Sequence, residues 1–268
     1  MALTSQRNII LALLIAVAAA AWALLIREQF GIATDMGMAM YSPTMGMKAP
    51  LFLAAWMVMM VAMMFPTAAP MILTFHRVQA GKQGRGETFV STWVFVAAYM
   101  LLWGAMGALA FAGAAGAELV AAHAGLSAAT AARIGGALLM VAGAYQLSPL
   151  KDLCLGKCRT PIGFILTSWR DGRWGAVRMG LQHGLFCAGC CWLLFLALFP
   201  LGIMNVAAMA VVTLLVFAEK TLPYGERIAK VSGVALLLYG AAVLVFPQAL
   251  PISQPMGAPM PMDQMMMN

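Results

Sequence analysis

The chain has 268 residues, of which 63% are hydrophobic and only 9% charged, against about 25% charged in a soluble domain. This excludes an ordinary water-soluble fold and predicts an integral membrane protein. The formal charge of +7 then reads as basic residues gathered in cytoplasmic loops, not as a nucleic-acid footprint.

Residues 1–250 read as a single transmembrane helical domain, and 251–268 as a flexible tail rich in Met and Pro. Seven apolar stretches follow one another, measured against the roughly 17–25 residues that cross a bilayer. The first is Asn8–Ile26. Its Ala21-Trp-Ala23 resembles a signal-peptide cleavage site, but the apolar run exceeds the usual ~7–15 residues, so a retained helix is expected. The second, Leu51–Phe75, contains Trp56-Met-Val-Met-Met-Val-Ala-Met-Met-Phe-Pro66. Met57, Met60 and Met64 fall at i, i+3 and i+7 and share a helix face. Pro66 and Pro70 are expected to bend or break that helix. The third and fourth, Ser91–Ala114 and Ala131–Leu147, offer glycine-rich faces for close helix packing.

Cys154 and Cys158 form a C-x-x-x-C pair in the connection that follows. On a helix they share a face, and in a loop the spacing still permits chelation. Lys157 and Arg159 are expected to lower the thiol pKa values and favour thiolate. The segment Ile162–Trp174, half apolar and half basic, is expected to lie in the membrane interface. The fifth stretch is Ala176–Phe199, the sixth the short Ile203–Phe217, and the seventh Ile228–Phe246. Asn205 reads as a helix cap, and Glu219 with Lys220 as an interfacial ion pair.

Thirteen Lys and Arg residues fall on one side of this arrangement and three (Arg27, Lys48 and Arg133) on the other. The bias predicts a cytoplasmic N-terminus and an outside C-terminus. Met36, Met38, Met40, Met45 and Met47, and the tail methionines Met256, Met260, Met262, Met265, Met266 and Met267, then come out on the non-cytoplasmic side. Cys154 and Cys158 come out in the reducing cytoplasm. Thioethers form no disulfides and suit an oxidising compartment, whereas thiols survive in a reducing one.

The densest chemistry lies in the fifth stretch, Gln182-His-Gly-Leu-Phe-Cys-Ala-Gly-Cys-Cys-Trp192. On a helix His183, Cys187, Cys190 and Cys191 stand at roughly 0°, 40°, −20° and 80°, one stripe near the bilayer centre. Polar groups at that depth are functional candidates. Three thiols and an imidazole suit a soft metal, and with the thioether stripe of Met57, Met60 and Met64 they suit Cu(I). The competing reading is packing: buried Cys behaves as a small hydrophobe, and Met fills gaps. The phosphate-loop signature, the H-E-x-x-H motif and a serine–histidine–acid set are all absent from the sequence, so no nucleotide partner is expected.

Trp56 to Pro66, Tyr145-Gln-Leu-Ser-Pro-Leu-Lys-Asp-Leu-Cys154 with Cys158, Arg178-Met-Gly-Leu-Gln-His183 running to Cys190-Cys191-Trp192, and Glu219-Lys220 with Pro223 together resemble a bacterial family. It is catalogued as domain of unknown function 2182 and comprises predicted metal-binding, copper chaperone-like integral membrane proteins. The resemblance covers roughly Leu51 to Tyr239 and implies a multi-pass protein of the bacterial inner membrane. The fold expectation is therefore all-α, a polytopic bundle of about seven spans. The function expectation is Cu(I) handling at His183, Cys187, Cys190, Cys191, Met57, Met60 and Met64. Cys154 and Cys158 would donate or accept the ion, the outer methionines would capture it, and a cuproenzyme or soluble copper carrier would be the partner. Two alternatives stand beside it: a membrane thiol–disulfide oxidoreductase, and a non-catalytic subunit or assembly factor of a membrane metalloenzyme complex.

Overall fold

A computed structural model describes residues 2–35, 43–44, 46–203 and 205–250. In chain order the helices are α1 (Ala2–Asp35), α2 (Ala49–Gly84), α3 (Thr92–Ala124), α4 (Ala128–Gln146), α5 (Pro149–Arg159), α6 (Pro161–Ser168), α7 (Gly172–Leu196), α8 (Leu198–Leu201), α9 (Val206–Thr221) and α10 (Gly225–Val245). A 3₁₀ turn follows at Pro247–Ala249. Among the described residues there is no strand. Met36, Met38, Met40, Met45, the tail 251–268 and its methionines lie outside the described residues. Met47 is half-buried against the main core.

Among the described residues six helices are long and apolar enough to cross a membrane: α1, α2, α3, α4, α7 with its continuation to Leu201, and α10. The sixth apolar stretch becomes α9, with only 16 residues. Its start is fixed by Asn205, whose side chain accepts from the Ala208 amide at 3.1 Å, as capping requires. Its end is fixed by Leu222, held extended (ψ 149) as the residue before Pro223 must be. Many large apolar side chains point outward, among them Leu101, Leu109, Val211, Leu214 and Leu238. That is the composition of a lipid-facing surface.

The main core gathers buried side chains from α1, α2, α3, α5, α6, α7 and α9. A smaller one lies between α4, α10 and the outer side of α7. α4 and α10 approach until a methyl added at Gly143 would stand 2.7 Å from the Gly233 carbonyl oxygen, so the small-residue face on α4 is used internally.

α2 runs unbroken through Pro66 and Pro70, so the break that either proline could have caused does not occur. Pro66 has no N–H to give the carbonyl of Ala62. That freed carbonyl accepts instead from the indole Nε1 of Trp22 on α1, at 3.0 Å. The bundle thereby satisfies a backbone group that lipid could not.

Candidate metal centre

α7 buries His183, Cys187, Cys190 and Cys191 on its inward side. Its fourth-residue geometry lets Cys190 and Cys191 both donate back to the Cys187 carbonyl, at 3.0 and 2.9 Å. Cys187 is the hub. Its Sγ lies 3.2 Å from the hydroxyl of Tyr99 on α3, 4.0 Å from the thioether sulfur of Met64 on α2 and 3.0 Å from the ammonium of Lys220 on α9. Lys220 also reaches Thr67 Oγ1 at 3.5 Å.

His183 stands one turn before Cys187. Its ring stacks on Phe95 and Tyr99, with centroids 5.9 and 5.4 Å away, and meets the edge of Phe164 at 5.7 Å. Both ring nitrogens are buried without a hydrogen-bond partner. A buried polar atom with no partner costs about 1–3 kcal/mol and asks for a reason. A soft ion that an imidazole can ligate would supply one.

Of the methionine stripe, Met64 meets the thiols and Met60 is fully buried beside it. Met57 leans towards Gly104 of α3, where an added methyl would stand 3.7 Å from its sulfur.

The C-x-x-x-C pair is helical and lies on α5, packed against α7. The Cys158 thiol interacts with those of Cys187 and Cys190, and Cys154 Sγ sits over Gly189 of α7. All five cysteines are free thiols and all gather in this one region. Lys157 and Arg159 do not lower the α5 thiols as expected. Lys157 is exposed, and Arg159 donates to the carbonyls of Leu222 and Pro223 at 2.8 and 3.0 Å. Burial, followed by the neighbouring Cys190, pushes the Cys154 thiol up. Contact with Cys187 and Cys190, with burial behind it, pushes Cys158 well up.

Beside the thiols lies a buried polar network. Lys151 on α5 pairs with Glu219 on α9 at 2.6 Å. Gln146 at the end of α4 donates to Glu219 at 2.8 Å and to Ser232 of α10 at 2.9 Å, and accepts from Lys151. Glu219 therefore pairs across helices and not with Lys220. Residues adjacent on a helix diverge by about 100°, so one turns to Lys151 and the other to the thiols.

In the segment Ile162–Trp174, α6 turns Phe164 and Ile165 into the core, Phe164 against His183, and leaves Ile162 and Leu166 exposed; Trp174, in the first turn of α7, is exposed too. Among the described residues no three His, Cys, Asp or Glu side chains converge closely enough to hold a metal ion as they stand. The geometry has a local cause: Cys190 and Cys191 are turned onto the helix backbone. Rotation about χ1, a soft torsion with a few staggered wells, is what would free them.

A family model described as a copper chaperone, PpoB2, matches residues 53–243. The chain belongs to that family. The match runs from the second turn of α2 through nearly all of α10, and so takes in every residue of the thiol site. Membership of a copper chaperone family associates the protein with copper. No curated protein and no solved structure matches the chain.

Sequence reading found the α7 stripe and Met64. It gives Glu219 and Lys220 only as an interfacial ion pair, gives Tyr99, Gln146 and Lys151 no role at the site, and keeps Cys158 apart from the other thiols. A signal was present: charged and amide residues border apolar runs inside the very motifs that carry the family resemblance.

Proposed function

We propose that the protein binds Cu(I) within the membrane and hands it to a partner through the thiols of α5 and α7. The supporting observation is that α5 and α7 bring all five cysteines into one region, three of them buried and two half-buried, with the Lys220 ammonium 3.0 Å from Cys187 Sγ. Thiolate and thioether donors suit Cu(I) and serve hard ions poorly. In this reading Cys187, Cys190, Cys191 and Cys158 are the thiolate ligands, and Met64 and His183 complete the coordination from either side. Met60 and Met57 continue the thioether stripe along α2. Cys154, half-exposed at the margin, exchanges the ion with a soluble carrier or a cuproenzyme. The protein is then a multi-pass protein of the bacterial inner membrane, N-terminus in the cytoplasm, with its outer methionines as a weak capture surface.

The test is anaerobic purification from copper-replete cells, followed by elemental analysis and X-ray absorption at the copper edge. Copper surrounded by sulfur is expected. Copper-free protein, or binding that survives Cys190→Ser with Cys191→Ser unchanged, would overturn the reading. A reversible two-electron thiol couple in a metal-free protein would favour the oxidoreductase instead.

A further inference from the structure

Three helices place rings in one layer just beyond the thiols. On α3 Trp103 stands one turn past Tyr99, on α7 Phe195 one turn past Cys191, and on α2 Trp56 one turn before Met60. All three rings are buried. Phe195 lies 5.4 Å from Trp103 and 6.5 Å from Trp56 between centroids. The Trp56 indole donates to the Trp103 carbonyl at 2.9 Å, and a methyl on Gly107 of α3 would come within 2.5 Å of it. Phe52 adds a further ring 6.2 Å from Trp56, with Phe111 5.3 Å beyond. This stack lies on the side of the thiols that carries Ala49 and Leu201. On the opposite side His183 stacks on Phe95, and Phe75 and Trp169 continue at 4.8 and 5.9 Å. Rings therefore occupy the axial line in both directions. A bare ion in such a layer has neither ligand nor water, which is costly.

The α5 flank is different. Cys154 and Cys158 are half-buried there, while Cys187, Cys190 and Cys191 are buried. Lys157, one turn from Cys154, is exposed, and an exposed ammonium belongs in water or headgroups, not among acyl chains. We infer that the thiol site is open on one side only: the ion enters and leaves sideways past α5, and Trp56, Trp103 and Phe195 close the site towards the end of the bundle that carries Ala49 and Leu201. This rests on the copper reading above and adds the route of exchange. The surface that a carrier must meet is then the α5 flank, and the carrier needs soft donors of its own to take the ion from Cys154. Met47, just before α2, stands behind the rings, so an ion held there reaches the thiols only when the rings part.

The experiment labels the full-length, metal-free protein in native membranes with a membrane-impermeant maleimide, in right-side-out and in inverted vesicles, and reads each cysteine by mass spectrometry. Two exposed positions at opposite ends of the bundle, His123→Cys and Arg173→Cys, mark which face the reagent meets. From the Arg173 face Cys154 is expected to react first, at least about tenfold faster than from the His123 face, since exposure governs access to a thiol. From the His123 face the native thiols are expected to stay unlabelled while the marker reacts. Phe195→Ala, or Trp56→Ala in its place where the first fails to fold, is expected to admit the reagent to the α7 thiols from the His123 face and to leave Cys154 labelling from the other face near wild type. Wild-type thiols that react equally from both faces, or from neither, overturn the inference, and neither result depends on a variant folding. Labelling from the His123 face that stays absent in a folded Phe195→Ala or Trp56→Ala overturns the assignment of those rings as the closure. Copper plays no part in this labelling. One-sided labelling in a protein that purifies without copper therefore sinks the copper reading alone, and two-sided labelling in a protein that binds copper through sulfur sinks this inference alone.

Discussion

Cys154 and Gly189 stand face to face across the α5–α7 interface: a methyl placed on Gly189 would come 2.7 Å from Cys154 Sγ and 3.4 Å from its Cβ. The glycine is what lets α5 lie against α7 closely enough for Cys158 to reach Cys187 and Cys190. Gly189→Ala should therefore wedge the helices apart. Overpacking of this kind costs about 1–3 kcal/mol, so the melting temperature in detergent should fall. Copper bound per chain should fall with it, because the α5 thiol is drawn away from the α7 thiols. Gly104→Ala is the control. Its methyl would meet Met57 at an ordinary 3.7 Å, and both readings should stay near wild type.

The methionine stripe divides by geometry. Met64 lies 4.0 Å from Cys187 Sγ, whereas Met57 faces α3. Met64→Leu and Met57→Leu conserve volume and should each cost under about 1.5 kcal/mol of stability. Cu(I) affinity, read by competition with a chromophoric chelator, should drop severalfold in Met64→Leu and hold in Met57→Leu. Equal losses in the two variants would return the stripe to the packing role that buried methionines commonly fill.

The parts of this site that sequence made legible are those written within one helix. Hydrophobic runs located the helices, because apolar length is what a bilayer demands. The α7 stripe was legible because 100° per residue turns His183, Cys187, Cys190 and Cys191 to one side before any neighbour is known. Contacts between helices were not. Cys158 reads as half of a pair set apart from the α7 thiols, whether helical or in a loop, because the polar stretch around it gives no sign that α5 folds back onto α7. Glu219 and Lys220 looked like partners because they are neighbours in sequence, and helical rotation sends them to different elements. Pro66 reads as a break or a bend, because the donor that takes up the carbonyl it frees, Trp22, lies 40 residues from that carbonyl on another helix.

Lys151 and Glu219 are almost wholly buried, at 0% and 1% exposure, and tie α5 to α9 with Gln146 completing the network. Removing one partner of a buried ion pair strands the other and costs about 3–5 kcal/mol. Lys151→Met should accordingly lower the melting temperature sharply. Pairing it with Glu219→Leu should recover part of the loss, since two apolar side chains leave no stranded charge. A double variant no more stable than Lys151→Met would mean that the network, and not the charge pair, holds these helices together.

Cys154 is half-exposed on α5, which is not among the helices long and apolar enough to cross a membrane. Burial first, then the nearby Cys190, raises its pKa above the ~8.5 of an unperturbed thiol. The sign follows directly. A raised value means less thiolate at any given pH, and the thiolate is the reactive form. Site-resolved alkylation followed by mass spectrometry, run from neutral to strongly alkaline pH on metal-free protein, should give Cys154 a midpoint displaced upward from that of the same residue in denatured chain. A midpoint below the denatured one would instead mean that the basic residues Lys157 and Arg159 govern this thiol. An upward displacement has a consequence for transfer. A neutral thiol at the margin gives up its proton only as the ion arrives, so Cys154→Ser should slow copper exchange with an external chelator more than it weakens equilibrium binding. Parallel losses in rate and affinity would make Cys154 an ordinary ligand of the buried set.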